Sequence, residues 1–477
     1  MLFNSLGFAL FFTVVFLLYW LVFTQRKQQN VLLLLASCFF YGCWDWRFLF
    51  LLLFSIALDY YSAHKIAQAE SSRLRKTWLF ISIGINLGFL AIFKYYNFFV
   101  ESFTDFLNID NTQSNTWLLH IILPVGISFY TFHGLSYIID VYKQRIEPVK
   151  NKVDYAVFVS YFPLLVAGPI ERATHLLPQI QRDRKFDYSK AISGSRQILW
   201  GLFKKIVIAD GCAEYVNPIF ENPPDFSGSS LLIGAILFSF QIYGDFSGYS
   251  DIALGTSRLL GIELLKNFSY PYFSRDIAEF WRRWHISLSS WFRDYVYIPI
   301  GGSRGSLFQK IRNTFVIFLL SGFWHGANWT FIFWGLLHAL FFIPYLISGN
   351  NRKNISVIAS DKMVPDLKTT ISIFFTFSMV TFAWIFFRAE TLTEAFGYIS
   401  ELFSATLFSI PEIFPKTLLC WILFLMIFEW LGREDNFAIE SITSNWRKPL
   451  RIAFYYLLAI LIVYYSGKDF QFIYFQF

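Results

Sequence analysis

Charge is what this sequence has least of. Of 477 residues only 15% are Asp, Glu, Lys or Arg, against 55% hydrophobic and 21% aromatic. A soluble chain of that length needs far more charge to cover its surface. No polar block is long enough to be a soluble domain, so residues 1–477 read as one membrane-embedded domain. Cysteine is equally sparse: Cys38, Cys43, Cys212 and Cys420 are scattered through apolar sequence without paired metal spacings. They offer no structural zinc and read as buried small hydrophobes.

Several familiar signatures are missing as well. There is no G-x-S-x-G nucleophile elbow for a serine mechanism, and no P-loop or G-x-G-x-x-G for nucleotide hydrolysis or hydride transfer. No internal repeat is visible, which argues against a transporter built from inverted halves. The net charge of +7 does not indicate nucleic acid, because the basic residues lie in short loops between apolar runs, where topology and anionic headgroups account for them.

Apolar runs of about 18 to 20 residues, the length that spans a bilayer, are what the chain has in abundance. Mean hydropathy is +0.46. The expected fold is all-α: a polytopic membrane protein of about 10–12 transmembrane helices with re-entrant and interfacial pieces. The motif-bearing core covers about 117–346, and further transmembrane helices cover about 368–466.

The N-terminal run MLFNSLGFALFFTVVFLLYWLVF has no basic n-region and no small-residue cleavage site, so it reads as a retained first span. Arg26 and Lys27 follow it, and Lys65, Arg73, Arg75 and Lys76 form the next basic link; Lys143, Arg145, Lys150 and Lys152 form a third. The acidic segment 101–110 alternates with them. The positive-inside rule then puts the N-terminus outside. Trp44-Asp45-Trp46-Arg47 reads as the outer turn of a tight hairpin between runs 30–43 and 47–61. The fourth span is expected at about 77–99 and the fifth at about 117–141.

The middle third is interrupted by charges, Gly and Pro, as in LPVGISFYTFHGLSYIIDVYK, YFPLLVAGPIER and YGDFSGYSDIALG, the last carrying Asp245 and Asp251. Freed backbone groups are tolerated at membrane depth only against protein or a water-filled cavity, so a buried cavity is expected here. Residues 189–213, with Lys204, Lys205 and Asp210, read as a tilted or partly interfacial helix. DIAEFWRRWHISLSSWFR (276–293) has the periodicity of an amphipathic helix, with Phe280, Trp281, Trp284, Leu288 and Trp291 on one face. His285 would share a face with Trp281, Arg282 and Ser289. The turn IPIGGSRG follows.

Seven histidines remain to be placed. His64, His120 and His175 stand in polar or loop contexts and read as ordinary interface residues, while His133, His285, His325 and His338 lie in apolar or structured surroundings. His325, in SGFWHGANWTFIFWG, is an ionisable group inside an apolar run, a functional candidate by default. Metal ligation is not expected. His325 and His338 stand 13 residues apart, which at about 100° per residue separates them by roughly 140° around one helix. A neutral imidazole is suited instead to take a proton from a hydroxyl, its ordinary pKa being about 6.5. A lone base, a cavity and no metal fit group transfer to an alcohol.

FWRRWHISLSSWFRDYVYIPIGGSRG followed by SGFWHGANWTFIFWGLLH resembles the membrane-bound O-acyltransferase family, in particular its bacterial branch containing the alginate O-acetyltransferase membrane subunit. LPVGISFYTFHGLSYIIDVYK, VSYFPLLVAGPIER and FQIYGDFSGYSDIALG match too. The resemblance implies a bundle around a central tunnel, with His325 as the catalytic residue, His285 as a second candidate, and His133 and His338 in supporting positions. Trp324, Asn328, Trp329, Arg282, Ser289, Asp245 and Asp251 would line or support the tunnel.

The resemblance further implies no permanently bound cofactor. A cytoplasmic acyl donor, acetyl-CoA or another thioester, would supply an acetyl group passed across the bacterial inner membrane to an exported polysaccharide. A periplasmic SGNH-type acetyltransferase would be the partner. D-alanyl or peptidoglycan O-acyl transfer by a related family member, or an acyl conduit without chemistry of its own, are the alternatives.

Overall fold

The computed structural model describes all residues except 108, 110–116, 120, 167, 361–362, 468–469, 471 and 474–477, so His120 lies outside the described residues. Among the described residues there are helices and turns but no strand. Six helical stretches are long and apolar enough to cross a membrane: Arg26–Gln68, Ser72–Phe106, Gly228–Leu259, Trp329–Ile347, Leu367–Arg388 and Lys448–Tyr465, with Leu6–Val22 a shorter apolar one. Large apolar side chains such as Leu10, Phe50 and Phe374 stand exposed along them, as lipid-facing surfaces require. This is the all-helical multi-pass membrane architecture that the hydropathy implies.

The chain packs as two compact units, residues 1–191 with 256–265, and residues 192–255 with 266–477. The first unit begins with α1 (Leu6–Leu17), capped by the Ser5 hydroxyl, which accepts from the Phe8 N–H. α2 (Arg26–Gln68) breaks at Asp45, whose φ of −156° and ψ of 112° are not helical. Its carboxylate accepts the Arg47 N–H and so restarts the second arm. The arms double back as the sequence predicts: Asn30 bonds Asp154, and Tyr60 bonds the Lys150 carbonyl.

α3 (Ser72–Leu90) continues through a π-helical turn into α4 (Tyr96–Phe106), and α5 (Ile127–Tyr142) follows. The span expected from 117 thus starts ten residues later: Pro124 and a left-handed Gly126, with φ 73°, delay it. α6 (Lys152–Ser160), α7 (Phe162–Leu165) and α8 (Ala173–Gln181) are short.

The second unit opens with α9 (Tyr188–Leu202, its first residues in the first unit), a π-helical stretch over 203–209, and α10 (Asp210–Glu221). This run was expected to lie partly at the interface. Instead Lys204 and Lys205 are buried, because carboxylates of the next helix, α11 (Gly228–Leu259), meet both of them. α12 (Ile277–Arg283) and α13 (Ile286–Phe292) replace the single amphipathic helix expected over 276–293, and a turn rich in left-handed glycines follows.

α14 (Leu307–His325) and α15 (Trp329–Ile347) form an antiparallel pair, and α16 (Leu367–Arg388), α17 (Leu392–Leu402), α18 (Lys416–Leu431) and α19 (Lys448–Tyr465) complete the unit. Of the four cysteines expected to be buried only Cys212 is, and Cys38 is half-buried. Cys43 and Cys420 are exposed, since an apolar neighbourhood in a membrane helix does not separate core from lipid-facing positions.

Candidate active site

The α14–α15 pair carries the first histidine. Gly322 and Gly335 let the two backbones approach so closely that a Cβ at either would lie 2.2 or 2.3 Å from a carbonyl of the opposite helix. α14 then ends on His325 and turns sharply through Gly326. Asn328 restarts the chain as the cap of α15: its Oδ1 accepts the Thr330 N–H, and its amide donates to the Glu390 carbonyl at 2.7 Å. Trp329 is largely exposed. Asn328 therefore holds the turn that follows His325.

The second histidine stands between two short helices. His285 has φ 43° and ψ 54°, the left-handed region, and caps α13. That conformation is uncommon for a side-chain-bearing residue. Three bonds from an adjacent segment hold it: the Asn267 carbonyl accepts the Ile286 N–H at 2.9 Å, Asn267 Oδ1 accepts the Ser287 hydroxyl at 2.6 Å, and the Ser269 N–H donates to the Arg283 carbonyl. The break corrects the helical-face reading, since His285, Trp281 and Ser289 do not share one continuous helix.

The outcome is that His285 and His325 face one another, ring centroids 6.3 Å apart, both buried. Trp324 packs on both rings, at 5.8 and 5.0 Å. Phe246 closes the His285 side at 4.6 Å, while Trp334 and Phe387 close the His325 side. Neither ring nitrogen of His285 has a hydrogen-bond partner among the described residues. His338 is set apart behind Trp334, and its Nδ1 accepts the Trp281 indole N–H at 3.2 Å.

A cavity of about 420 Å³ approaches this pair, within the range of small-molecule sites. Its wall includes Ser289, four residues beyond His285, and Ser321, four residues before His325; Arg282, Arg293 and Arg352 also line it. Arg282 is held by the carbonyls of Asn351 and Asn354, both at 2.8 Å. The sequence reading expected a cavity near the interrupted middle segments; this one is bounded by residues 278–352, and a smaller one of about 20 Å³ is lined by Tyr243, Ser247, Ser250 and Asp251 of those segments.

The remaining candidates are tied into buried networks. Asp245 pairs with Lys205 at 2.8 Å and accepts the Ile473 N–H at 2.7 Å, and Asp251 pairs with Lys204 at 2.6 Å. Phe472, beside Ile473, packs on Tyr249 and Phe246. That C-terminal approach to the wall of the His285 pocket left no signal in an aromatic-rich tail. In the first unit, His133 accepts the Glu171 N–H, and Glu171 pairs with His175 at 2.7 Å. His175 is thus one half of an ion pair on a fully buried carboxylate.

Two opposed, buried histidines thus stand in an all-helical membrane fold, with an arginine-lined cavity walled by residues near each of them in sequence. The profile of the membrane-bound O-acyltransferase family matches residues 149–389, a stretch that contains both histidines, and the chain belongs to that family. It is 40% identical over 415 residues to the probable alginate O-acetylase AlgI of Pseudomonas aeruginosa, covering 87% of this chain and 77% of that protein. It is 35% identical to the peptidoglycan O-acetyltransferase of Helicobacter pylori, covering 83% and 78%. The teichoic acid D-alanyltransferase of Bacillus subtilis is 28% identical, covering 57% and 70%.

Proposed function

We propose that this chain is an O-acetyltransferase of the bacterial inner membrane that moves an acetyl group from a cytoplasmic thioester toward an exported polysaccharide, with His325 as general base. The observation that supports the reading is the pair of opposed, buried imidazoles, beside which an arginine-lined cavity is walled by neighbouring residues such as Ile286, Ser289 and Ser321. The relatives named for O-acetylation of alginate and of peptidoglycan support an acetyl group and a cell-envelope glycan.

The two histidines differ in the field they feel. His325 ends the 19-residue α14, where the carbonyl end of the helix favours a positive charge by about 0.3–1 kcal/mol or more. His285 sits at the opposite pole of α13. An imidazolium is therefore better placed on His325, which takes the acceptor proton, while neutral His285 orients the hydroxyl or the thioester carbonyl. The acceptor oxygen forms its bond to the acyl carbon, the C–S bond breaks, and the thiolate leaves.

The donor's apolar arm fits the cavity that ends at Ser289 and Ser321, and a phosphate-bearing carrier such as acetyl-CoA fits Arg282, Arg293 and Arg352. A periplasmic SGNH-type acetyltransferase is the partner that completes delivery to the glycan.

Replacing His325 by Ala or Gln is expected to lower acetyl transfer by about 10²–10⁴-fold with insertion and folding intact. Acetylation of the exported glycan is measured in cells, and thioester consumption with purified protein. A well-inserted His325→Ala chain that sustains full acetylation removes the base from the mechanism. Turnover that needs no histidine, with acetyl groups crossing unchanged, favours the conduit reading.

A further inference from the structure

Beyond His325, the end of the α14–α15 pair belongs to a face that the transfer chemistry does not use. Asn328 donates to the Glu390 carbonyl there, which ties the turn after His325 to the start of α17. The loop 403–415 that follows α17 is fastened to the start of α11. Glu412 Oε2 accepts the Ser227 and Ser230 hydroxyls, both at 2.6 Å, and Thr406 Oγ1 accepts the Gly228 N–H at 2.8 Å. A Cβ at Gly228 would stand 2.6 Å from the Leu402 carbonyl, so no side chain fits between them. Held in this shape, the loop turns apolar side chains outward: Phe408 and Ile410 are 92% and 91% exposed, with Phe403 and Phe414 exposed beside them.

The charge of the face is one-sided. Segments 221–230 and 389–415 contain Glu221, Asp225, Glu390, Glu394, Glu401 and Glu412 and neither Lys nor Arg, and all six carboxylates are at exposed positions. Arg388, just before the second segment, is turned to the Asn217 amide oxygen and the Phe220 ring, and Lys416 opens α18 just after it. Arg304, Lys310, Arg312, Arg352, Lys353 and Lys368 surround the opposite ends of α14 and α16. An apolar surface that rests on lipid carries Lys and Arg on its polar side, because headgroups are anionic; this one carries the opposite sign. Two copies paired through it about a two-fold axis would set carboxylates against carboxylates. Exposed apolar side chains rimmed by polar ones mark a protein contact.

We infer that this face lies outside the membrane and is the docking surface for the acceptor-side protein, the periplasmic acetyltransferase of the proposed function, which meets it with an apolar patch ringed by Lys and Arg. The inference rests on the acyl-transfer reading and gives that reading its partner surface. The sign of the charge agrees with the outer side by the positive-inside rule. Phe387, which packs on His325 at 5.3 Å, stands three residues before Glu390, so a protein seated here sits at the end of the helix that carries the base. Phe408 and Ile410 are its anchors, and the carboxylates around them steer its approach.

The test uses the purified full-length chain and, as probe, the purified SGNH-type acetyltransferase of the same bacterium. Binding is expected, and is expected to weaken as salt is raised, because exposed charges are screened. Phe408→Ala with Ile410→Ala is expected to weaken it by roughly tenfold or more, and Glu394→Lys with Glu401→Lys to slow association. Both double variants keep the wild-type rate of thioester consumption measured without the probe, while acetylation of the exported glycan in cells falls with binding. Phe408→p-benzoylphenylalanine, photolysed in cells, reads the occupant directly, and the expected adduct is with the acetyltransferase. Adducts with phospholipid alone, or with a second copy of the chain, overturn the inference. So do a wild-type chain that does not bind the probe, binding unchanged in both double variants, and thioester consumption lost along with binding, which assigns the face to folding. Wild-type protein that binds the probe but consumes no thioester overturns the acyl-transfer reading and leaves the docking surface standing.

Discussion

Asn267 was invisible in the sequence, although the residue it serves stood out at once. His285 was identifiable from the W-H-I-S run and the resemblance it carries, but a run of helix formers with no Gly or Pro gave no sign of the left-handed break that aims its ring. The bonds that fix the break come from residues 267 and 269, outside the motif. Asn267→Ala removes the Ser287 contact and frees the turn. It is expected to lower kcat by up to about 10²-fold, the scale of a misplaced reactive group, with donor KM little changed, and steady-state kinetics on the purified protein check this. An equal loss in kcat and rise in KM, with an altered circular dichroism spectrum, assigns Asn267 to folding instead.

His175 makes a second argument at this scale. Its bond to the buried Glu171 carboxylate raises its pKa above the ordinary value of 6.5, with burial opposing. A raised folded value means the stabilisation is fully present below the unfolded pKa and is lost as pH rises through the folded one. Thermal unfolding of the detergent-solubilised chain is therefore expected to shift to lower temperature as pH rises through that window, with His175→Gln flattening the dependence. A wild-type profile level over the same window removes the ion pair from the stability argument.

Elements were the most legible scale, because caps and breakers act locally. Ser5, Ser71, Ser306, Asn328, Asp366 and Thr391 each accept an N–H from the first turn of the helix they open. Trp-Asp-Trp-Arg marked the fold-back at Asp45. Packing between elements was less legible: the sequence has many glycines, and nothing local tells which ones face a neighbouring backbone. Gly322 and Gly335 do, whereas Gly397 in α17 has no atom near the position of a Cβ. Gly322→Ala is expected to force α14 and α15 apart, to cost about 1–3 kcal/mol and to reduce activity by displacing His325 one turn away. Gly397→Ala, where only chain entropy changes, should be neutral or stabilising by about 0.4–1 kcal/mol. Equal melting temperatures for the two variants would remove the close helix crossing as the reason for a glycine at 322.

At the scale of the whole molecule we propose an orientation in the membrane from charge alone. Loops at 26–27, 65–76 and 143–152 are basic, and the segment 101–110 between the last two is acidic. The positive-inside rule proposes one orientation for all four, with the N-terminus outside. The test is a cysteine-free chain carrying Glu101→Cys or Lys150→Cys, both at exposed positions, labelled with a membrane-impermeant maleimide in intact spheroplasts and again after permeabilisation. Glu101→Cys should label in both, Lys150→Cys only after permeabilisation. The reverse pattern puts the N-terminus inside and overturns the proposed orientation, with the histidine pair and its transfer chemistry unchanged.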